Sequence, residues 1–219
     1  KEKGRVKLFT YFRSTAAYRV RIALNLKGLP AELLPVNLVE KKHTEAAYTD
    51  LNPQGLVPAL MLESGEVMNQ SMSILEYLDE QYPLPPLLPT GPLERAEVRS
   101  FAYEIACDMH PLNNLRVLKY LENDLGVGAQ DKQTWYEHWI ATGFTALEQR
   151  LELRKPPQQG SFCFGNTATI ADCLLIPQVY NALRFNCDMQ PYPLINAINE
   201  HCLSLNAFEA ARPENQADA

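Results

Sequence analysis

Between positions 83 and 92 the chain carries five prolines (Pro83, Pro85, Pro86, Pro89 and Pro92) and one glycine, Gly91. Proline lacks a backbone N–H and clashes with the preceding turn, so no helix or strand ladder runs through such a stretch. The stretch divides the chain, and its two sides read differently. Before it, short apolar runs alternate with helical patterns; after it, every apolar pattern has helical spacing. This order predicts a small α/β domain over residues 1–83, a proline-rich linker over 84–92 and an all-helical domain over 93–219.

The apolar-rich run 6–12 predicts a short strand. Ser14 and Thr15 follow it, then helical spacing at Val20, Ala23 and Leu24, and Gly28-Leu29-Pro30 marks the stop. Two hydroxyls at the positive end of a helix dipole make a ready site for an anion or a thiolate; a serine there also serves as a plain helix cap. The run 31–38 predicts a second strand, parallel to the first because a helix joins them. A weak helical stretch covers 43–50. Pro58 begins an apolar strand, where its missing N–H is tolerated. A turn at 63–66 makes the next strand, Val67-Met68, antiparallel. Asn69-Gln70-Ser71 then starts a helix with Met72, Ile74, Leu75 and Leu78 as its apolar residues.

Beyond the prolines, Val98, Phe101, Ile105, Leu112, Leu115 and Leu118 predict one long helix over 93–121, bent near its middle by Pro111. Residues 131–153 predict another, with Trp135, Trp139, Phe144, Leu147 and Leu151. A loop at 156–160 precedes Thr169-Ile170-Ala171-Asp172, which has the spacing of a capping box. Cys173, Leu174, Leu175, Ile176 and Val179 behind it predict a buried helix. A shorter helix follows Pro193, and the polar tail from Arg212 reads as frayed.

With 219 residues there is ample chain for a core, and 46% hydrophobic against 21% charged residues is a globular balance. A net charge of −6 argues against nucleic acid as a partner. No apolar run approaches the roughly 20 residues of a membrane span, and no signal-peptide-like segment opens the sequence, which points away from membranes and to a cytoplasmic setting. Cys107, Cys163, Cys173, Cys187 and Cys202 are odd in number and contain no C-x-x-C pair. They read as neither a disulfide framework nor a zinc site, and no metal is implied.

Several segments in order resemble the cytosolic glutathione transferases of the zeta class, which include maleylacetoacetate isomerases, and the related bacterial maleylpyruvate isomerases. They are Tyr11-Phe12-Arg13-Ser14 with Arg19-Val20-Arg21-Ile22-Ala23-Leu24, Leu51-Asn52-Pro53 with Val57-Pro58, and Gln70-Ser71. In the second half they are His110-Pro111-Leu112-Asn113-Asn114-Leu115, Ile176-Pro177-Gln178-Val179 and Arg184-Phe185. The resemblance covers nearly the whole chain. It implies a thioredoxin-like N-terminal domain followed by an all-α C-terminal domain, glutathione as cofactor, and a homodimer. The implied reaction converts maleylacetoacetate to fumarylacetoacetate, a step of aromatic amino-acid breakdown, by thiolate addition, bond rotation and elimination. The alternatives are a maleylpyruvate isomerase, or a non-catalytic glutathione-binding or interaction module of the same fold.

Residue by residue, the resemblance implies catalytic roles for Arg13, Ser14 and Thr15. It implies glutathione contacts at Ser14, Thr15, His43, Val57 (before a cis Pro58), Gln70, Ser71, His110 and Asn114. It gives Arg13, Arg116 and Arg184 to the carboxylates of a dicarboxylic acid substrate, which a guanidinium grips through two parallel hydrogen bonds. Arg19 and Arg21 read instead as internal salt-bridge partners. The sequence departs from the class at one place: the usual Ser-Ser-Cys after the arginine is here Ser14-Thr15-Ala16. The thiol is absent there, and the hydroxyl assigned to activation stays.

Overall fold

The computed structural model describes residues 6–156 and 159–219, so residues 1–5 and part of the loop read at 156–160 lie outside the described residues. By its packing the chain forms two compact units. One runs to Leu87 and includes Leu203–Ala219; the other is Leu88–Cys202.

The first unit contains β1 (Val6–Thr10), α1 (Thr15–Lys27), β2 (Ala31–Pro35), a 3-10 turn (Lys42–Thr44), α2 (Ala46–Thr49), β3 (Ala59–Met61), β4 (Val67–Asn69) and α3 (Ser71–Gln81). Among the described residues the four strands form one sheet in the order β2-β1-β3-β4. β1 and β2 are parallel, as the intervening helix requires, with Phe9 opposite Leu34. β3 runs antiparallel to β1 with Ala59 opposite Phe9, and β4 antiparallel to β3 with Asn69 opposite Ala59.

α1 begins and ends where Ser14 and Gly28 place it. Ser14 Oγ accepts the Ala17 N–H, and Gly28, at φ 59, donates its N–H to Asn25 O and Leu24 O. That left-handed cap suits glycine because no Cβ stands in the way. Val20, Ile22 and Leu24 are buried, each contributing roughly 1.5–3 kcal/mol. Lys27 is buried at the end of the same helix. Its Nζ donates to Asp79 Oδ1 (2.6 Å), Tyr82 O (2.7 Å) and Pro85 O (2.7 Å), and Asp79 also accepts the Leu87 N–H (2.7 Å). The start of the proline stretch is therefore fastened to α1 and α3.

The second unit contains α4 (Pro92–Tyr103), a π-helical segment (Glu104–Met109), a 3-10 turn (His110–Asn113), α5 (Leu115–Asn123), α6 (Ala129–Glu152), α7 (Ile170–Arg184) and α8 (Pro193–Leu203). The single bent helix expected over 93–121 is thus broken. Pro111 has no N–H to donate, the turn before it widens, and the turn holding it tightens. Asn114 then takes an extended backbone (φ −66, ψ 146) and restarts the helix, its side chain accepting the Arg116 N–H. Asn113 Nδ2 to Tyr136 O (3.0 Å) and Trp135 Nε1 to Leu112 O (2.9 Å) hold the break against α6. The capping box at Thr169 forms as its spacing predicts, and α7 is buried from Ile170 to Val179.

The tail differs from its expectation. Leu203–Ala219 packs with the first unit, whereas the sequence pattern extends the helical domain through to 219. It contains α9 (Asn206–Glu209) and a 3-10 turn (Pro213–Asn215), so regular structure continues past Arg212, where the polar composition predicts a frayed end. Its polar side chains are used in bonds: Arg212 pairs with Glu209 (3.3 Å) and Glu214 (3.5 Å), and Asp218 accepts the Phe12 N–H (3.0 Å).

Candidate functional site

The strand register puts most of the sequence-derived site residues of the first unit at one edge of the sheet. Phe9, Ala59 and Asn69 stand side by side across β1, β3 and β4. The turn leaving β1 carries Arg13 and Ser14, the segment entering β3 carries Val57, and the chain leaving β4 gives Gln70 and Ser71. His43 lies in the 3-10 turn on the connection that leaves β2, whose C-terminal end is at the same edge.

Ser14 is half-buried and caps α1 with Oγ 3.2 Å from the Ala17 nitrogen. Because Oγ accepts that bond, its own proton remains to donate. Thr15 and Ala16 open the first turn of α1, at the positive end of its dipole, and that turn carries no acidic residue to offset it. Thr15 itself is buried. Arg13 is exposed, with Cζ 4.8 Å from the centre of the Phe12 ring.

Val57 is buried, and the Val57–Pro58 peptide is cis, as the resemblance implied. Leu56 O accepts from both the Tyr48 hydroxyl (2.6 Å) and Asn52 Nδ2 (2.7 Å), and Asn52 Oδ1 accepts from Asn69 Nδ2 (3.1 Å). Gly55 sits at φ 60 with no room for a side chain, since a Cβ would lie 2.9 Å from His43 O. The Leu56–Val57 peptide is thereby tied through Asn52 to the end of β4, and Gly55 packs closely against the His43 carbonyl.

Gln70, not Ser71, occupies the cap position of α3, and its side chain makes no capping bond. It reaches Gln54 Oε1 instead (2.9 Å). Its backbone stands at φ 67, a region costing a non-glycine residue on the order of 1–3 kcal/mol and found mostly at functional sites. Ser71 is therefore the first residue of the helix, 6% exposed, with Oγ accepting from Arg19 Nη1 (3.1 Å). The described hydrogen bonds of Arg19 and Arg21 run to hydroxyls and main-chain carbonyls.

In the second unit, His110 opens the 3-10 turn, and Asn114 spends its Oδ1 on the α5 cap, 3.1 Å from the Arg116 nitrogen. Arg116 is exposed in the first turn of α5. Arg184 ends α7, exposed, with Cζ 5.1 Å from the centre of the Phe185 ring. That ring stacks on Tyr136 at 4.0 Å, and Phe185 O accepts from Gln133 Nε2 (2.7 Å), so α6 fixes the end of α7. Burial pushes the Tyr136 hydroxyl well up, with Cys187 adding to the shift and the Arg184 charge opposing it. Among the described residues none of Arg13, Arg116 and Arg184 forms an ion pair. Sequence reasoning missed Asn52, Gln54 and Asp218. Asn52 lies within Leu51-Asn52-Pro53, and only the structure shows that it is buried and bonded to Leu56 O and Asn69.

The profile of the glutathione S-transferase N-terminal domain matches residues 13–81. The chain is 48% identical over 217 residues to a protein of Vibrio cholerae described as a probable maleylacetoacetate isomerase, covering 97% of each. The holo structure of a maleyl pyruvate isomerase, a bacterial zeta-class glutathione S-transferase, matches with a TM-score of 0.93 at 45% identity over 97% of this chain and 99% of that one. A maleylacetoacetate isomerase from Methylobacterium extorquens, solved with bound malonate and glutathione, matches with a TM-score of 0.93 at 38% identity and the same coverage. A thioredoxin-like domain with a mixed four-stranded sheet, followed by a helical region, is the glutathione transferase fold, and this chain belongs to the zeta class of that family.

Proposed function

We propose that this chain is a glutathione-dependent isomerase that converts a maleyl dicarboxylic acid, maleylacetoacetate first, to its fumaryl isomer. The observation that carries the reading is the order Ser14, Val57, Ser71 across one end of the sheet, on the segments that leave β1, enter β3 and leave β4. Neighbouring strands lie about 4.8 Å apart, so these elements span about 10 Å. An extended tripeptide spans about the same, roughly 10–11 Å. The donors fit the groups of glutathione in that order: a hydroxyl and helix N-terminus for the thiol, main chain for the cysteinyl unit, and a second helix N-terminus for the γ-glutamyl carboxylate.

When bound, glutathione supplies a thiolate that adds to the electron-poor double bond, leaving it free to rotate, and is then expelled. The residues of the chain prepare and orient that chemistry. Ser14 donates its hydroxyl proton to sulfur, and the first N–H groups of α1, that of Thr15 included, add the dipole. Each is worth on the order of 1 kcal/mol, which draws a thiol of ordinary pKa about 8.5 toward neutrality. The Val57 main chain pairs with the cysteinyl unit, Gln70 and Ser71 take the γ-glutamyl end, and His43, His110 and Asn114 add polar contacts. Arg13, Arg116 and Arg184 hold the substrate carboxylates.

Calorimetry with glutathione, followed by the conversion of maleylacetoacetate with and without it, tests the reading. Binding and glutathione-dependent turnover are expected; binding with no turnover of either maleyl acid makes the chain a binding module. The 45% identity to a maleylpyruvate isomerase favours one second reading, maleylpyruvate as the preferred acid, which the ratio of kcat/KM values decides. We take the working form to be a cytosolic homodimer.

A further inference from the structure

The turn between β1 and α1 is gripped by charged groups outside the residues given to glutathione. Arg21, 3% exposed, spreads its guanidinium over three consecutive residues. Nη1 donates to Thr10 Oγ1 (3.0 Å) and Tyr11 O (3.4 Å), and Nη2 donates to Phe12 O (3.0 Å). Nε donates to Ala211 O (3.0 Å) in the tail. The Phe12 N–H donates to Asp218 Oδ2 (3.0 Å), also in the tail. The Ser14 N–H closes the turn on Tyr11 O (2.9 Å).

One peptide unit is common to these bonds. The Tyr11–Phe12 peptide is a rigid plane whose N–H is held by Asp218 and whose carbonyl receives Ser14 and Arg21. Turning that plane to release Asp218 swings Tyr11 O away from the Ser14 N–H. A bond to a charged group is roughly twice as strong as a neutral one; of the two charged partners, Asp218 at 3.0 Å holds the plane more closely than Arg21 at 3.4 Å, and both are stiffer than the neutral Ser14 bond. The tail that carries it is braced in turn. Asn215 Nδ2 donates to Glu209 O (2.7 Å), Gln216 Nε2 to Ala210 O (3.0 Å) and Arg212 O (2.8 Å), and Asn25 Nδ2 of α1 to Ala207 O (2.9 Å).

We propose that Asp218 is a positioning residue for the Ser14 hydroxyl, acting through the Tyr11–Phe12 peptide, which makes the segment Leu203–Ala219 part of the active-site support. The inference rests on the role given to Ser14 above. Its physical basis is the steep cost of small misplacements: about 1 Å at a reacting group is worth up to 10²-fold in rate.

The test compares Asp218→Ala, Asp218→Asn and Ser14→Ala in the full chain. The ultraviolet absorbance of bound glutathione thiolate is followed against pH, with kcat, KM and the melting temperature alongside. Asp218→Ala is expected to raise the pKa of the bound thiol by about one unit, a tenfold loss of thiolate below it. It should lower kcat on the order of tenfold and leave the KM for glutathione within about twofold. Asp218→Asn keeps an oxygen that accepts the Phe12 N–H and should stay within about threefold of the parent. An unchanged thiol pKa in Asp218→Ala overturns the inference. So does an equal fall in melting temperature and activity for both Asp218 variants, which assigns the carboxylate to stability alone. If Ser14→Ala raises the thiol pKa while Asp218→Ala does not, the proposed function stands and this inference falls. If Ser14→Ala leaves it unmoved, the role of Ser14 falls and takes this inference with it.

Discussion

The Ser14 hydroxyl does two things with one oxygen: it accepts the Ala17 N–H to start α1, and under the proposed mechanism it donates to sulfur. The two are separable in magnitude. Losing a serine cap costs about 1 kcal/mol of stability, whereas losing one preorganised donor to a developing or stabilised anion typically costs 10²–10³ in turnover. Ser14→Ala should therefore melt only slightly earlier than the parent and turn over 10²–10³ times more slowly. A variant with near-parental turnover and a clearly lower melting temperature would reduce Ser14 to a cap. Arg184 poses the opposite question, because its guanidinium is exposed and forms no ion pair among the described residues. If it holds a substrate carboxylate, Arg184→Ala should raise the KM for the maleyl acid by roughly one to two decades and leave glutathione affinity nearly unchanged. Arg184→Lys should recover little, since an ammonium cannot make the bidentate pair. Equal losses on a neutral electrophile and on the dicarboxylate would mean that the arginine serves the fold instead. Ser14 and Arg184 stand out in the sequence as candidates because each sits in a short motif. Asp218 was not, because its partner Phe12 is 206 residues away.

At the scale of elements, legibility followed distance along the chain in the same way. The α7 capping box was readable because its parts lie three residues apart: Asp172 Oδ2 accepts the Thr169 N–H (2.7 Å) and hydroxyl (3.0 Å). Its other oxygen, Oδ1, accepts the Cys163 N–H (2.7 Å), a bond that no spacing rule foretells. The start of α8 was located by Pro193, but its cap comes from α6, where Glu148 accepts the Leu194 and Ile195 N–H groups at 2.7 and 2.9 Å. The π-helical segment before Pro111 was missed for a related reason. An apolar spacing of three to seven fits both a continuous helix and one that widens, and only packing against α6 and α7 separates them. Asp172 allows a prediction at this scale. Asp172→Ala leaves two buried N–H groups without their acceptor, at about 1–3 kcal/mol each, and removes the acidic half of the capping box on a helix that fills the core. Equilibrium denaturation should show a loss of about 3–5 kcal/mol, against a smaller loss for Asp172→Asn, which retains an accepting oxygen. A change below about 1 kcal/mol for Asp172→Ala would mean that the box is ornamental to α7.

For the molecule as a whole, the change from strands and helices to helices alone at the proline stretch gave the right architecture, because composition and period change together there. Sedimentation of the 24.8 kDa chain at micromolar concentration should give about twice that mass if the homodimer is right, and an active species at the monomer mass would count against it. The way the tail is used was hidden, since nothing local in Leu203–Ala219 says which unit it joins. Its bonds now predict how the first unit behaves by itself. A fragment of residues 1–87 lacks Ala211 O for the buried Arg21, Ala207 O for Asn25 and Asp218 for Phe12. It also lacks Phe208, which is fully buried in α9 and whose helix packs on α1. Burying one such ring contributes roughly 1.5–3 kcal/mol, and each hydrogen bond about 1 kcal/mol. Together that is on the order of 5 kcal/mol, comparable to the whole stability of a small domain. The fragment 1–87 should accordingly melt without a cooperative transition, and its amides in α1 should exchange rapidly with deuterium. Joining residues 203–219 to it through a glycine–serine linker should restore both cooperativity and protection of α1, because the linker's closure entropy grows only slowly with length. If 1–87 alone melts cooperatively at the temperature of the joined form, the tail is a passenger on the first unit, and its grip on the Tyr11–Phe12 turn carries no energy.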